Sequence, residues 1–413
     1  MNAKRTTRRQ FLQRGIASGA AAGAAASLVA RQAHGRVEGA GDRLSIGIIG
    51  CGGRAGALMG QIQAAAAEQN CQITAVCDVW KPNLEQAAAK VKGWFGREPR
   101  KFTRFNDVLA LGDVDAVVVA TPDFGHCPIM IAALEAGKDV YCEKPMALEV
   151  ENANRALDLA RANDRVVQVG TQRRSEGRWP AAGAAIAAGT LGKLSRVSVG
   201  NFFNQARWAR SYDNCKQPDV DWDAYLFNRP KVAFDPRLLR RWHLFKMCTN
   251  GISGLWMVHH IDSIHMLTGS TYPNSAVAHG GTYIWKEDRE HCDTFHALLD
   301  YPEEFLVSWA MGLGNESGTH FTVHGTEGTL DVNTWTVSPD GPKAGKTPDV
   351  KIEGKPNQDH MVNWLECIRS RRRPNADIEY GHQHAVASIM AAKAQETGLR
   401  HTYDRKSRTI SAG

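Results

Sequence analysis

Residues 45–56, Ser-Ile-Gly-Ile-Ile-Gly-Cys-Gly-Gly-Arg-Ala-Gly, constrain this chain more than any other stretch. Leu44, Ile46, Ile48 and Ile49 form the apolar, largely β-branched run of a strand buried on both faces in a parallel sheet. The run stops at Gly50. Gly50, Gly52 and Ala55 then fit G-x-G-x-x-G/A, ahead of an Ala/Leu/Gln-rich stretch that is good helix material. In the order strand, glycine turn, helix, small residues let the backbone approach a pyrophosphate, and the amides and dipole of the helix N-terminus favour its charge. Alone the motif is weak, because chance turns also match it, so the residues downstream decide.

They continue the pattern. The next strand, 72–77, ends at Asp78, 28 residues after Gly50, where a carboxylate accepts bonds from both ribose hydroxyls; capping the helix that begins near Pro82 is the competing role. An Asp repels a 2'-phosphate, so NAD is expected, with NADP as the alternative because Lys81 blunts the repulsion. Helices over 83–91, 107–111, 128–136 and 150–163 alternate with strands over 114–120, 139–142 and 166–169. This is the signature of an α/β doubly wound parallel sheet, a Rossmann domain over 44–170. Beyond Gly170, segments 195–203, 276–284, 294–300, 305–311 and 320–324 alternate and are rich in β-branched and aromatic residues. They predict an α+β domain over 171–400 with a large open, mostly antiparallel sheet.

Charge excludes one class of partner. Of the seven net positive charges, five sit in the first 30 residues, on Lys4, Arg5, Arg8, Arg9 and Arg14, and the remainder gives no basic surface for nucleic acid. Thr7-Arg8-Arg9-Gln10-Phe11-Leu12-Gln13 with the Ala/Gly-rich stretch 15–30 resembles a twin-arginine signal, so residues 1–35 are expected to engage the twin-arginine translocation machinery and send the folded protein to the periplasm. That stretch is too short and small-residue-rich to anchor the mature chain in a membrane. Nine cysteines, odd in number and without a CxxC pair, read as buried thiols.

Chemistry is expected at Glu143-Lys144-Pro145, after the strand 139–142, at the edge where a nicotinamide would lie. A partly desolvated lysine beside the positive ring can accept a hydroxyl proton as hydride leaves the same carbon; an ordinary surface ion pair is the competing reading. Nine of the eleven tryptophans follow Gly170, and indole faces pack on sugar CH groups. Arg173, Arg174, Arg241 and His243 are candidate ligands for hydroxyls or carboxylates.

Gly50-Cys-Gly-Gly-Arg54, Ala120-Thr-Pro-Asp123 with His126, and above all Gly137-Lys-Asp-Val-Tyr-Cys-Glu-Lys-Pro-Met146 resemble the glucose-fructose oxidoreductase, inositol dehydrogenase and rhizopine-catabolism (Gfo/Idh/MocA) family. The resemblance implies a Rossmann domain followed by an open-faced domain whose sheet often makes the oligomer interface, hence a homodimer or homotetramer. It implies NAD(P) bound by Gly50, Gly52, Asp78, Thr121, Pro122 and Glu143, with Gly53, Arg54, His126 and Lys144 of the same motifs as further cofactor-binding candidates. It also implies a cis peptide before Pro145 and Lys144 as acid/base. In the family's Asp-x-x-x-His-x-x-Asp helix, His259 matches the proton shuttle and Asp262 its neighbour, but Leu255 stands where the first Asp belongs. His260 or His243 are the candidates to compensate, and both join Arg173 and Arg241 as substrate-binding candidates. His259, His260, Asp262 and His265 drift around a helix with no second ligand pair, so no metal is expected.

The expected function is exported, NAD(P)-dependent hydride transfer to or from a sugar, glycoside or cyclitol hydroxyl, with the cofactor retained and recycled. A redox-neutral glycoside-cleaving, epimerising or dehydrating reaction and a non-catalytic carbohydrate-binding relative are the alternatives.

Overall fold

The computed structural model describes residues 42–413; the signal expected over 1–35 lies outside the described residues. Six parallel strands, β1 (Leu44–Ile49), β2 (Cys71–Cys77), β3 (Arg100–Phe102), β4 (Ala116–Val119), β5 (Asp139–Cys142) and β6 (Val167–Val169), lie in the order β3-β2-β1-β4-β5-β6. β4 is fully apolar and β1 is apolar but for Ser45, with residues from both sides buried, as in strands covered by helices on two faces. The chain order reverses between β1 and β4, which places the glycine turn at the switch point of the sheet. Edge strand β3, Arg-Lys-Phe, carries no apolar run and was not expected. The helix expected over 128–136 instead spans Asp123–Glu135 with Pro128 inside it, which brings its N-terminus back to the edge of β4.

A second sheet of ten strands follows: β7 (Leu194–Asn204), β8 (Ser275–Gly281), β9 (Thr294–Tyr301), β10 (Phe305–Gly312), β11 (Gly314–Gly325), β12 (Gly328–Asp331), β13 (Thr336–Pro339), β14 (Val350–Lys351), β15 (His401–Asp404) and β16 (Thr409–Ala412). Their order is β14-β13-β12-β11-β7-β10-β9-β8-β15-β16, antiparallel throughout except for the parallel pair β7–β10. The sheet continues past residue 400 to Ala412. Phe295, Ala297, Leu299 and Tyr301 of β9 turn inward, against Trp179, Met257, Ile261 and Ile264 from the helices Arg178–Ala187 and Val258–Thr268 and the turn before the latter. His296, Leu298 and Asp300 turn outward, the period of two that a one-faced sheet requires.

Two late helices join these layers. The helix His360–Ser370 returns to the first sheet, where Met361, Trp364 and Leu365 pack with Ile46, Ile48 and Leu58; Trp364 meets Tyr141 edge-on at 5.7 Å. The helix Ile378–Thr397 is apolar around most of its circumference because it serves two cores: Ala385 and Ile389 pack into the Rossmann core, Val386, Met390 and Ala391 into that of the large sheet. Truncating the fully buried Trp364 to Ala should therefore cost ~3–5 kcal/mol in chemical denaturation. The same change at half-exposed Trp94 should stay within about 0.5 kcal/mol, and equal losses at both positions would refute the role of the returning helix.

Candidate active site

Gly50 has φ +83°, and a Cβ on it would stand 2.8 Å from the Ala120 carbonyl and the Thr121 amide, so only glycine fits the crossing of β1 against the end of β4. Gly52 caps the helix Gly53–Ala65, and around Gly53 there is open space. The first amides of that helix have no carbonyl of their own helix to bind. Asp78 Oδ2 accepts from the Cys51 amide at 2.7 Å and Asn83 at 3.3 Å, and Oδ1 from the Trp80 amide at 2.8 Å. Asp78 thus holds the glycine turn onto β2 and does not cap the helix Lys81–Phe95, whose N-cap is Trp80. Its burial raises the carboxyl pKa, and Oδ1, bonded once, keeps a lone pair for a ribose hydroxyl.

A cavity of about 220 Å³ runs along this edge. Gly50, Gly52, Gly53, Arg54, Asp78, Thr121 and Pro122 line one side, and Arg210, Arg240, Trp242 and His243 of the second domain line the other. Unpaired helix amides, a glycine cradle and a carboxylate at the end of β2 fit a dinucleotide. Arg54 donates from Nε to the buried Glu143 at 2.6 Å, while the Lys144 amide reaches the other Glu143 oxygen at 3.3 Å. The Lys144–Pro145 peptide is cis. His126, a cofactor-binding candidate, has its two ring nitrogens 2.9 Å from the Pro145 and Thr121 carbonyls. Enclosed between these two carbonyls at 2 % exposure, it packs the Thr121 and Pro145 loops together and does not reach the cavity.

Lys144 Nζ donates to the Leu255 carbonyl at 2.9 Å. Leu255 sits in a π-helical turn, Ser253–Met257, a local widening that frees carbonyls from the ordinary ladder. The leucine side chain cannot serve as a proton acceptor, but its backbone receives the ammonium. One turn on, His259 has its pKa pushed well below the usual value, first by burial and then by Lys144 and Arg173. These surroundings favour its neutral form and bring the imidazole within electrostatic reach of the lysine.

Five site candidates are drawn elsewhere. Asp262 was expected beside His259, but its carboxylate is buried in an ion pair with Arg174 Nε at 2.7 Å. That pair also removes Arg174 as a substrate ligand, its guanidinium lying 3.6 Å over the Tyr380 ring. His260 points into the core against Trp309 and Phe321, and burial lowers its pKa to about 3. Successive helix residues stand about 100° apart, so only one of His259 and His260 can face the cleft. Arg241 donates to the Arg210 carbonyl at 2.7 Å and pairs with Asp288 at 3.5 Å, supporting its own loop and not the cavity. Arg173 is partly buried over Trp179 and 3.4 Å from Ser263 Oγ; like Glu143, Lys144 and His259, it lies beside the cavity and not in its walls.

Residues 44–171 match the family described as oxidoreductase family, NAD-binding Rossmann fold, and residues 226–331 match the GFO/IDH/MocA C-terminal domain. Together the two matches take in more than half of the chain. The chain belongs to the Gfo/Idh/MocA family. Inositol 2-dehydrogenase 4 of Saccharopolyspora erythraea is 33% identical over 155 residues, covering 36% of this chain and 43% of the relative. Inositol 2-dehydrogenase of Corynebacterium glutamicum is 30% identical over 171 residues, 40% of this chain and 49% of the relative, so the chain spans less than half the length of either. The WlbA dehydrogenase of Bordetella pertussis, solved with NADH and UDP-GlcNAcA, shares the fold at TM-score 0.66 and 22% identity, covering 88% of this chain and 98% of that one. The aldose-aldose oxidoreductase of Caulobacter crescentus, solved with glycerol, does so at TM-score 0.66 and 18% identity, with 87% and 99% coverage.

Within this family framework, the second domain brings Arg210, Arg240 and Trp242 to the cleft; Trp242 is one of the tryptophans expected to offer a sugar-packing face, whereas Arg241 and not Arg210 or Arg240 was the arginine expected there. Its histidines make a separate point. Burial depresses the pKa of His260 and His384 to about 3 and of His382 to about 4, with His243, His259 and His265 lowered as well. Unfolded, each takes up its proton near pH 6.5. Below that pH the unfolded chain binds more protons than the folded one, so stability falls as pH falls, by up to ~1.4 kcal/mol per pH unit for each histidine. Buried Asp78, Asp123 and Asp262, whose pKa values are raised, act in the opposite sense, but the histidines outnumber them. The thermal midpoint should therefore drop from pH 7.5 to 5.5; a flat or rising profile would refute the dominance of the buried neutral histidines.

Proposed function

We propose that the protein is an exported, NAD-dependent oxidoreductase acting on a hydroxyl of a sugar, glycoside or cyclitol. The observation that carries this is the pairing of Lys144, held by the Leu255 carbonyl, with the neutral His259 at the carboxyl edge of a sheet whose glycine turn opens into a cavity suited to a dinucleotide. NAD, when bound, supplies the hydride acceptor. The chain supplies the rest: Lys144 holds the substrate oxygen and takes its proton while releasing one of its own to His259. Polyol substrates in the printed names of the relatives support the substrate class, and Asp78 supports NAD over NADP by repelling a 2'-phosphate.

Outside the cytoplasm free nicotinamide is scarce, so the cofactor is read as retained and recycled. Export rests on Arg8-Arg9 and its flanks, and nine buried free cysteines suit a protein folded before transport. The outward face of the large sheet, where Val277, Leu298 and Leu306 are 36%, 42% and 41% exposed, is read as the contact of a homodimer or homotetramer.

Denaturing the purified protein should release NAD. Feeding sugars and cyclitols to the intact protein should change the absorbance of the bound cofactor, and Lys144→Ala should lower turnover by roughly 10²–10⁴-fold; unchanged turnover would remove Lys144 from the chemistry. The Arg8→Lys/Arg9→Lys double variant should move the protein from the periplasmic to the cytoplasmic fraction, and light scattering of the wild type should give the mass of two or four chains. A periplasmic double variant would overturn the route of export, and the mass of one chain the sheet contact.

A further inference from the structure

We propose that His243 is a substrate-contacting residue of this site, a fixed hydrogen-bond donor whose Nε2–H meets the substrate oxygen that Lys144 also holds. This rests on the reading above and adds a third chemical group to it. The ring sits on the short turn Trp242–Leu244 and forms part of the cavity wall. Trp242 stacks on one side at 3.6 Å between centroids and 17° between planes; Trp208 lies at 5.9 Å and 9°. Stacked on Trp242, near-parallel to Trp208 and 8 % exposed, the imidazole is held in one orientation.

Its two nitrogens differ. Nδ1 is enclosed and has no hydrogen-bond partner among the described residues. A stranded N–H there costs more than a bare lone pair, so the proton belongs on Nε2, the nitrogen left to the cavity. Arg210 and Lys144 are the charged groups that face the ring, and with burial they keep it neutral. A neutral donor of fixed tautomer cannot act as the base. It can stabilise negative charge as it grows on an oxygen, while the hydroxyl proton passes to Lys144 Nζ, which gives up one of its own to His259.

The test is made on the full-length protein labelled with ¹⁵N-histidine, the His243 signals being assigned by their loss in His243→Gln. The Nε2–H tautomer should be present and unchanged between pH 5.5 and 8, a readout that needs no turnover. An Nδ1–H tautomer, or titration near pH 6.5, would overturn the proposal whatever the enzyme does. His243→Phe, which keeps a stacked ring, should lower kcat/KM about 100-fold. His243→Gln, which keeps an N–H, should lose less than about 10-fold and keep the acid limb of the pH profile. Wild-type kcat/KM in the Phe variant, or loss of the acid limb in the Gln variant, would sink the donor role while leaving the Lys144 chemistry standing. Matching thermal midpoints for the two variants confirm that the comparison is between folded proteins.

Discussion

With φ at +83° and no room for a Cβ beside the Ala120 carbonyl, Gly50 lets β1 turn into the helix Gly53–Ala65 while touching the end of β4. Asp78 then fixes the turn from the other side by accepting the Cys51 amide. These two constraints aim the free amides of one helix into the crevice at the switch point of the sheet. A larger residue at position 50 would separate β1 from β4 and displace Thr121 with it. Through His126, which bridges the Thr121 and Pro145 carbonyls, the same strain would reach Lys144. The cofactor crevice and the acid/base residue are in this sense one backbone construction.

The second domain completes that construction from a distance in sequence. Lys144 follows β5, whereas its carbonyl partner Leu255 and the neighbouring His259 come from the π-helical turn and the helix it opens. Their relative placement depends on the helix Ile378–Thr397, whose opposite sides belong to two apolar cores. The helix His360–Ser370 adds Trp364 to the first core. Residues near the end of the chain thus set the distance between residues 144 and 255, a dependence that no local pattern around either one reveals.

What was legible follows from how much of the signal is local. β1, the glycine turn, the Asp at the end of β2 and the Glu-Lys-Pro segment could be read because buried parallel strands are continuous apolar runs and turns need particular residues. β3 and β12 to β16 were missed because strands of two to four residues are too short for a period of two to show. At the site, spacing along a helix could bring Asp262 near His259 but could not show that Arg174, 88 residues earlier, holds its carboxylate. Likewise the adjacent His259 and His260 carry the same local signal, and only the core formed by Trp309 and Phe321 decides which faces inward. The Trp242–His243 stack was adjacent in sequence and so within reach; the near-parallel approach of Trp208, 35 residues earlier, was not.

Leu255 gives the site its own electrostatic character. A carboxylate at that position would bind the Lys144 ammonium as an ion pair and could also relay its proton. The backbone carbonyl that takes its place offers one hydrogen bond, no net charge and no basicity. Lys144 is consequently held in position without a charged partner at that contact, next to a nicotinamide ring that carries positive charge when oxidised. Carboxylates still lie close by, since its amide bonds to Glu143 and the buried Asp123 feels its charge. Burial, Lys144 and Arg173 favour the neutral form of the His259 imidazole. The departure from the family pattern thus removes a carboxylate from the Leu255 side of the lysine and leaves the lysine held there by a carbonyl.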